Sequence, residues 1–453
     1  MILALGLFMI LRWMGFALSL PTALNSTSSS RPQIIGPDRA GKYWIYGQDI
    51  SAAFIPYGAS ITNLIIKDRD GIERDLVMGF DNATQYEIDP VHPHLGGVPG
   101  RYANRIKNST FEIDGVVYHV TPNEHKTPEH PEGLNTLHGG PDGWDYRKFE
   151  VVYHTNTSIG FKIVDPDGKE GFPGEVISYI TYSLGDMTWD AKMVASATTK
   201  KTPIMLTSHT YWNLDGFSNP TNNTILNHTL YLPYSSHRIE VDNILIPTGE
   251  ILPNTKGSVN DFWSQPKKIG DGFNDPEIHG NCGWKCIGYG NALFLLSSAL
   301  PVDYIADRTT DNCFLINRQY TDDWQAVHNF VASLYSADSG IRLDIYSDQA
   351  AFQMYSCGGQ DGTFPLKKTQ GYQSRFPVGD KYHDTGSFGR FVPKYGCVVL
   401  EVQDWIDGIN HPEWGRTNKQ IFDPDTGPYV LNVRHKFSVD KGGPLKLPPG
   451  RLS

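Results

Sequence analysis

One large antiparallel β-sandwich, nearly devoid of helix, is the all-β fold class that this 453-residue sequence predicts. Three observations carry the prediction. Short runs alternating apolar and polar residues recur along the chain, each bounded by Gly, Asp, Asn or Pro. Turn formers and strand-favouring aromatics are abundant, with Gly 45, Pro 30, Tyr 23 and Trp 10. Helical periodicity is confined to part of 323–334. The even spacing of the runs favours a single sandwich over a barrel or several small domains.

Taken in order, residues 1–23 read as a secretory signal: an apolar start, then small residues near Leu20, Pro21, Thr22 and Ala23. Arg12 interrupts the apolar run, which is shorter than the ~20 residues a spanning helix needs. No later segment is long and apolar enough to span, so no membrane partner is expected once the signal is removed. Residues 24–42 are a Ser/Thr/Pro-rich arm. One domain then occupies 43–440, with an irregular insertion at 270–306, and 441–453 form a Lys-, Gly- and Pro-rich tail. Within the domain, strands are expected at 60–67, 110–113, 116–120, 161–164, 176–184, 188–197, 341–346 and 398–403. Asp114-Gly115, between two alternating runs, is the strongest hairpin signal in the chain. A second irregular stretch, 125–134, is polar and Pro-rich; loops of such length tend to be functional or mobile.

The formal charge of -10, with no long basic run, excludes a nucleic-acid partner, whose phosphates require a Lys/Arg face. A neutral small molecule or glycan fits better. Secretion and N-glycosylation are expected from the leader together with N-x-S/T sequons at Asn25, Asn82, Asn108, Asn156, Asn222 and Asn227. Of the five cysteines, Cys282 and Cys286 are spaced to close a small disulfide loop in an oxidising compartment, and the odd count leaves at least one thiol free. No second close Cys/His pair completes a zinc set, so no metal is expected.

Four segments hold polar residues that folding alone does not require. Thr207–Asn213, T-S-H-T-Y-W-N, follows the apolar run 203–206, read as a short buried strand, and delivers His209 and Asn213 among aromatics. Such a place suits a sugar and an acid. G-R-Y-A-N-R-I at 100–106 sets Asn104 beside Arg105, a rigid fork of donors suited to sugar hydroxyls; Arg101 reads as a surface salt bridge. L-H-G-G at 137–140 places two glycines after His138, where backbone can approach a ligand closely. In V-V-L-E-V-Q at 398–403, period two puts Glu401 and Gln403 on one face with Val399, and Leu400 and Val402 on the other. A carboxylate in such a run is either paired or raised in pKa by desolvation, which is how a general base is made.

These segments, with T-D-N-C-F at 310–314, S-D-Q-A-A-F-Q-M-Y at 347–355 and D-G-I-N at 407–410, resemble the aldose 1-epimerase (galactose mutarotase) family, in its order, from about Tyr43 to Val439. The sequence departs from the common pattern at Ser208, Trp212 and Val402, none of them an acid–base group. The resemblance implies a galactose mutarotase-like supersandwich, no cofactor, and interconversion of the anomers of a free aldose. It implies Glu401 as the general base at the anomeric hydroxyl and His209 as the general acid at the ring oxygen. Asn104, Arg105 and His138 would hold the sugar and polarise the ring oxygen, and Asp311 would bind hydroxyls. The chemistry asks for such a set, because opening a hemiacetal needs proton removal at the C1 hydroxyl and delivery at the ring oxygen together. The rival readings are a glycoside hydrolase, which needs two acids flanking one bond, such as Glu401 with Asp311, a carbohydrate-binding protein on the same fold, and a sugar-phosphate epimerase, which wants a basic cluster.

Overall fold

The computed structural model describes residues 35–89, 91, 94–219, 223–272, 311–318, 329–371 and 390–441. The expected leader, most of the arm, the Cys282/Cys286 pair, nearly all of the 270–306 insertion and the tail lie outside the described residues.

Three antiparallel sheets hold most of the strand residues of the described chain. A nine-stranded sheet runs Lys267–Lys268, Thr229–Tyr231, Phe330–Tyr335, Ile341–Ser347, Tyr429–Val439, Thr188–Ala197, Val176–Leu184, Ser158–Asp165, Glu150–His154. A six-stranded sheet runs Tyr211–Trp212, Val398–Gln403, Ala351–Tyr355, Asp311–Leu315, His237–Val241, Pro247–Pro253, and a four-stranded one is formed by Tyr43–Gly47, Ile50–Phe54, Ile61–Lys67 and Glu73–Asp75. One continuous core joins them. Phe161, Ile180, Tyr182, Trp189, Met193 and Leu431 from the first sheet meet Phe54 and Leu64 from the third and Trp212, Phe314, Val398 and Leu400 from the second. Phe54 stacks on Tyr182 with ring centroids 4.5 Å apart, and Trp189 meets Trp212 at 6.1 Å. Each such ring, fully buried, contributes roughly 1.5–3 kcal/mol.

The strands Val176–Leu184 and Thr188–Ala197 pair from Trp189 to Ala197 and alternate buried with half-buried or exposed residues, because their outer face meets water. The hairpin at Asp114-Gly115 has both residues at positive φ, 52° and 80°, as its turn type demands. Of 323–334, part of which is expected to be helical, 323–328 lie outside the described residues and 330–334 belong to the strand Phe330–Tyr335. One expectation fails. Of 203–206, only Pro203 is in a strand (Thr202–Pro203); Ile204, Met205 and Leu206 are buried outside the ladders, with Met205 bridging to Tyr102.

Cys357 and Cys397 form a disulfide, with Cα atoms 5.5 Å apart, joining the end of Ala351–Tyr355 to the start of Val398–Gln403. Cys313 is free and buried. Two short α-helices, Ala83–Ile88 and Thr417–Gln420, are present among the described residues.

Candidate active site

The strand Val398–Gln403 builds one wall. Val398, Leu400 and Val402 enter the main core, whereas Val399 packs with Tyr211 on the other face, the face to which Glu401 belongs. Gln353 lies opposite Glu401 in register, and its Nε2 donates to Asp311 Oδ1 at 2.6 Å, so three side chains are set by adjacent strands of one sheet. Tyr211 pairs with Val399 and Trp212 with Val398, which delivers His209 to the same side. The His209 main chain is clamped by Gly96 and Gly97: its N–H donates to Gly97 O (2.9 Å) and its carbonyl accepts from Gly96 N–H (3.0 Å).

The second wall joins G-R-Y-A-N-R-I to L-H-G-G. Arg105–Ile106 pairs with Thr136–Leu137. Gly139, at φ 86°, lies so close to the Gly100 carbonyl that a Cβ would sit 2.0 Å from its oxygen, so no larger residue fits. Asn104 and His138 exchange two bonds: His138 N–H donates to Asn104 O, and Asn104 N–H donates to His138 Nδ1, each 3.0 Å. With Nδ1 accepting, the neutral ring carries its proton on Nε2 and donates from there. Arg105 grips Glu124 through Nε and Nη2, down to 2.7 Å, while its Nη1 stands 4.0 Å from Asp311 Oδ2.

These walls bring all six expected residues together. His209 Nε2 is 3.4 Å from Glu401 Oε1, and His138 meets His209 edge to face with centroids 5.3 Å apart. Burial pushes Glu401 well above the ordinary carboxylate range, with Asp311 adding to the rise. Burial likewise pushes His209 well below the ordinary imidazole range, with His94 adding to the fall; His138 is lowered by the same causes. Burial also raises Asp311. The opposed directions at Glu401 and His209 make them a pair sharing one proton rather than an exposed-type ion pair.

Several buried polar atoms here have no partner: Glu401 Oε2, His209 Nδ1, Gln353 Oε1, and both amide atoms of Gln403. Unpaired buried groups are costly, and a concentration of them around one acid–base pair marks a place where ligand hydroxyls complete the network. Ligand atoms of His138, His209 and Glu401 also lie within 4.8 Å of one another, a set that can hold a divalent cation.

Two residues from the motifs have other work. Asn213 donates to Gly396 O (2.8 Å) and accepts from Asp215 N–H (2.9 Å), tying a turn away from the acid–base pair. Arg101 is not a surface residue: it is buried against Asp165, Thr202 and the Pro173 and Gly174 carbonyls. Sequence reasoning missed Glu124, Gln353, and a dyad of His94 with buried Asp145. The signal for Gln353 was its place in S-D-Q-A-A-F-Q-M-Y at 347–355; none existed for the dyad, whose members are 51 positions apart in Gly- and Pro-rich loops.

The described strands and this pocket define a β-sandwich with an acid–base site. A family model described as "Aldose 1-epimerase" matches residues 44–419. The chain is 38% identical over 418 residues to a probable aldose 1-epimerase of Arthroderma benhamiae, covering 88% of this chain and 86% of that protein. It is 30% identical over 383 residues to the galactose mutarotase of Sus scrofa, covering 83% and 90%. The solved structure of the GalM/aldose epimerase homologue from C. elegans superposes with a TM-score of 0.66 at 25% identity, covering 88% of this chain and 99% of that one. The chain belongs to the aldose 1-epimerase family, and its fold is the galactose mutarotase-like sandwich.

Proposed function

We propose that this protein interconverts the α and β anomers of free aldohexoses such as galactose or glucose, with Glu401 and His209 as the proton-transfer pair. The observation that carries the reading is the buried contact of 3.4 Å between His209 Nε2 and Glu401 Oε1, with the other oxygen of the acid unpaired. Moving one proton across this contact turns acid and neutral imidazole into carboxylate and imidazolium, so either tautomer holds one base and one acid. A sugar hydroxyl donating to the carboxylate favours its charged form.

Glu401 then takes the proton of the C1 hydroxyl while His209 protonates the ring oxygen. The O1 lone pair becomes the carbonyl π bond, and the electrons of the C1–ring oxygen bond pass to that oxygen. Rotation about C1–C2 exposes the other face of the aldehyde, and reclosure with the roles exchanged yields the other anomer. The His138 Nε2–H, the Arg105 guanidinium and the Asn104 amide hold and polarise the ring oxygen, and Asp311, steadied by Gln353, accepts from hydroxyls. No cofactor enters this chemistry.

We also propose an extracellular, N-glycosylated protein. The apolar leader and the sequons support this, as does the Cys357–Cys397 disulfide, since such bonds persist in oxidising compartments. The catalytic reading is tested by polarimetry on freshly dissolved α-D-galactose and α-D-glucose near neutral pH. Faster approach to the unchanged final rotation is expected; no acceleration with either sugar would remove the catalytic reading.

A further inference from the structure

The proton-transfer pair has a third imidazole beside it. His94 lies with its ring centroid 4.4 Å from that of His138 and 5.4 Å from that of His209, and 5.3 Å from half-buried Tyr146. Its Nδ1 is hydrogen-bonded to Asp145 Oδ2, and the Asp145 side chain is wholly inaccessible while that of His94 is 11% exposed. Asp145 is carried by the 3-10 turn Trp144–Tyr146, directly after L-H-G-G, so the loop that places His138 also places the partner of His94. His94 sits at φ 51°, in the left-handed region that side chains with a Cβ seldom occupy. A side chain held there by a buried carboxylate is held in a set direction.

Both neighbouring rings have Nδ1 engaged by the protein. His138 accepts at Nδ1 from Asn104 and so donates from Nε2. His94 gives its Nδ1–H to Asp145, a carboxylate being an acceptor, which leaves Nε2 as its other polar atom. That Nε2 has no hydrogen-bond partner among the described residues, and it is not among the buried unpaired atoms. Two imidazole nitrogens therefore stand side by side, each able to hydrogen-bond a ligand. A polyhydroxylated ring offers the complement, because each hydroxyl both donates and accepts.

We propose that His94 is a substrate-binding residue whose Nε2 hydrogen-bonds one sugar hydroxyl, and that Asp145 is the positioning residue that holds the ring for it. The proposal rests on the aldose reading above and adds a specificity-determining contact to it.

The test pairs His94→Phe, which keeps an aromatic ring and removes the nitrogens, with D-galactose and its 2-, 3-, 4- and 6-deoxy analogues. On galactose, His94→Phe should raise KM about tenfold with little change in kcat, the size of one lost hydrogen bond. On one analogue the same substitution should cost nothing further, because the hydroxyl it served is already missing. Asp145→Asn should repeat that pattern more weakly, and His94→Gln, which restores a hydrogen-bonding group, should recover part of the loss and serves where the Phe variant does not fold. An equal loss on every sugar, or no loss on galactose, overturns the contact. Calorimetric Kd values on the same panel separate the two readings. If the wild type binds these sugars without speeding mutarotation, the catalytic reading fails, yet coupling at a single hydroxyl still supports the subsite and its absence overturns it. A wild type that binds none of them overturns both.

Discussion

Glu401→Gln separates the chemistry from the fold. The side chain is buried, 3% exposed, and lies 3.4 Å from His209 Nε2. Glutamine keeps its volume and its hydrogen-bonding reach but cannot carry the proton, and acid–base catalysis of this kind is worth about 10²–10⁴ in rate. The expected kcat therefore falls by at least about a hundredfold. Stability moves the other way. Burial holds the folded carboxyl well above its ordinary 4.5, so the native state binds a proton that the unfolded state releases. The associated stabilisation is complete below pH 4.5 and is lost as pH rises towards the folded pKa, by about 1.4 kcal/mol for each pH unit in that window. The amide does not titrate. The Glu401→Gln protein should thus match or exceed the wild type in melting temperature at neutral pH, with its advantage growing as pH rises from 4.5. Polarimetry gives the rate and calorimetric melting at pH 4.5, 6 and 7.5 gives the stability. A variant that folds and keeps more than a tenth of wild-type turnover would refute the role of Glu401.

Three further outcomes are expected. His209→Asn should cost orders of magnitude in kcat with an unaltered circular dichroism spectrum, and full activity would remove His209 from the reaction. Glu124→Gln releases the Arg105 fork, whose Nη1 already stands 4.0 Å from Asp311; KM should rise about tenfold and kcat change less, as checked by initial rates over a range of sugar concentrations. Zn²⁺ should inhibit competitively by occupying His138, His209 and Glu401, with activity returning on addition of a chelator; insensitivity to the ion would show that these three ligand atoms do not converge on a cation in solution.

Much of the sandwich was legible because strands with one face toward water advertise themselves. Val176–Leu184 and Thr188–Ala197 face water on one side, and that alternation is written directly in their residues. Val398–Gln403 was legible for a different reason: one acid in an otherwise apolar run with turn residues at its ends. Phe330–Tyr335 was not legible as a strand because both of its faces are buried, which erases the period. The six expected site residues sit in short motifs in which polar side chains adjoin glycines or strands. Glu124, Asp145 and His94 do not. They act through pairings that only the folded chain brings together, Glu124 with Arg105 across 19 positions and Asp145 with His94 across 51. Asn213 shows the reverse error, since its place among aromatics in the His209 motif suggested a ligand contact, whereas its amide closes a turn.

The Cys357–Cys397 bond spans 40 positions, and between its ends the chain leaves one strand of the catalytic wall and returns to the next. A protease that cuts anywhere between the two cysteines produces two polypeptides that remain a single molecule. The wall bearing Gln353 and Glu401 stays covalently closed, and the break is visible only after reduction. A preparation that runs as one band without reductant and as two with it can therefore still be the intact catalyst, and its activity, not its band pattern, reports whether the site survives.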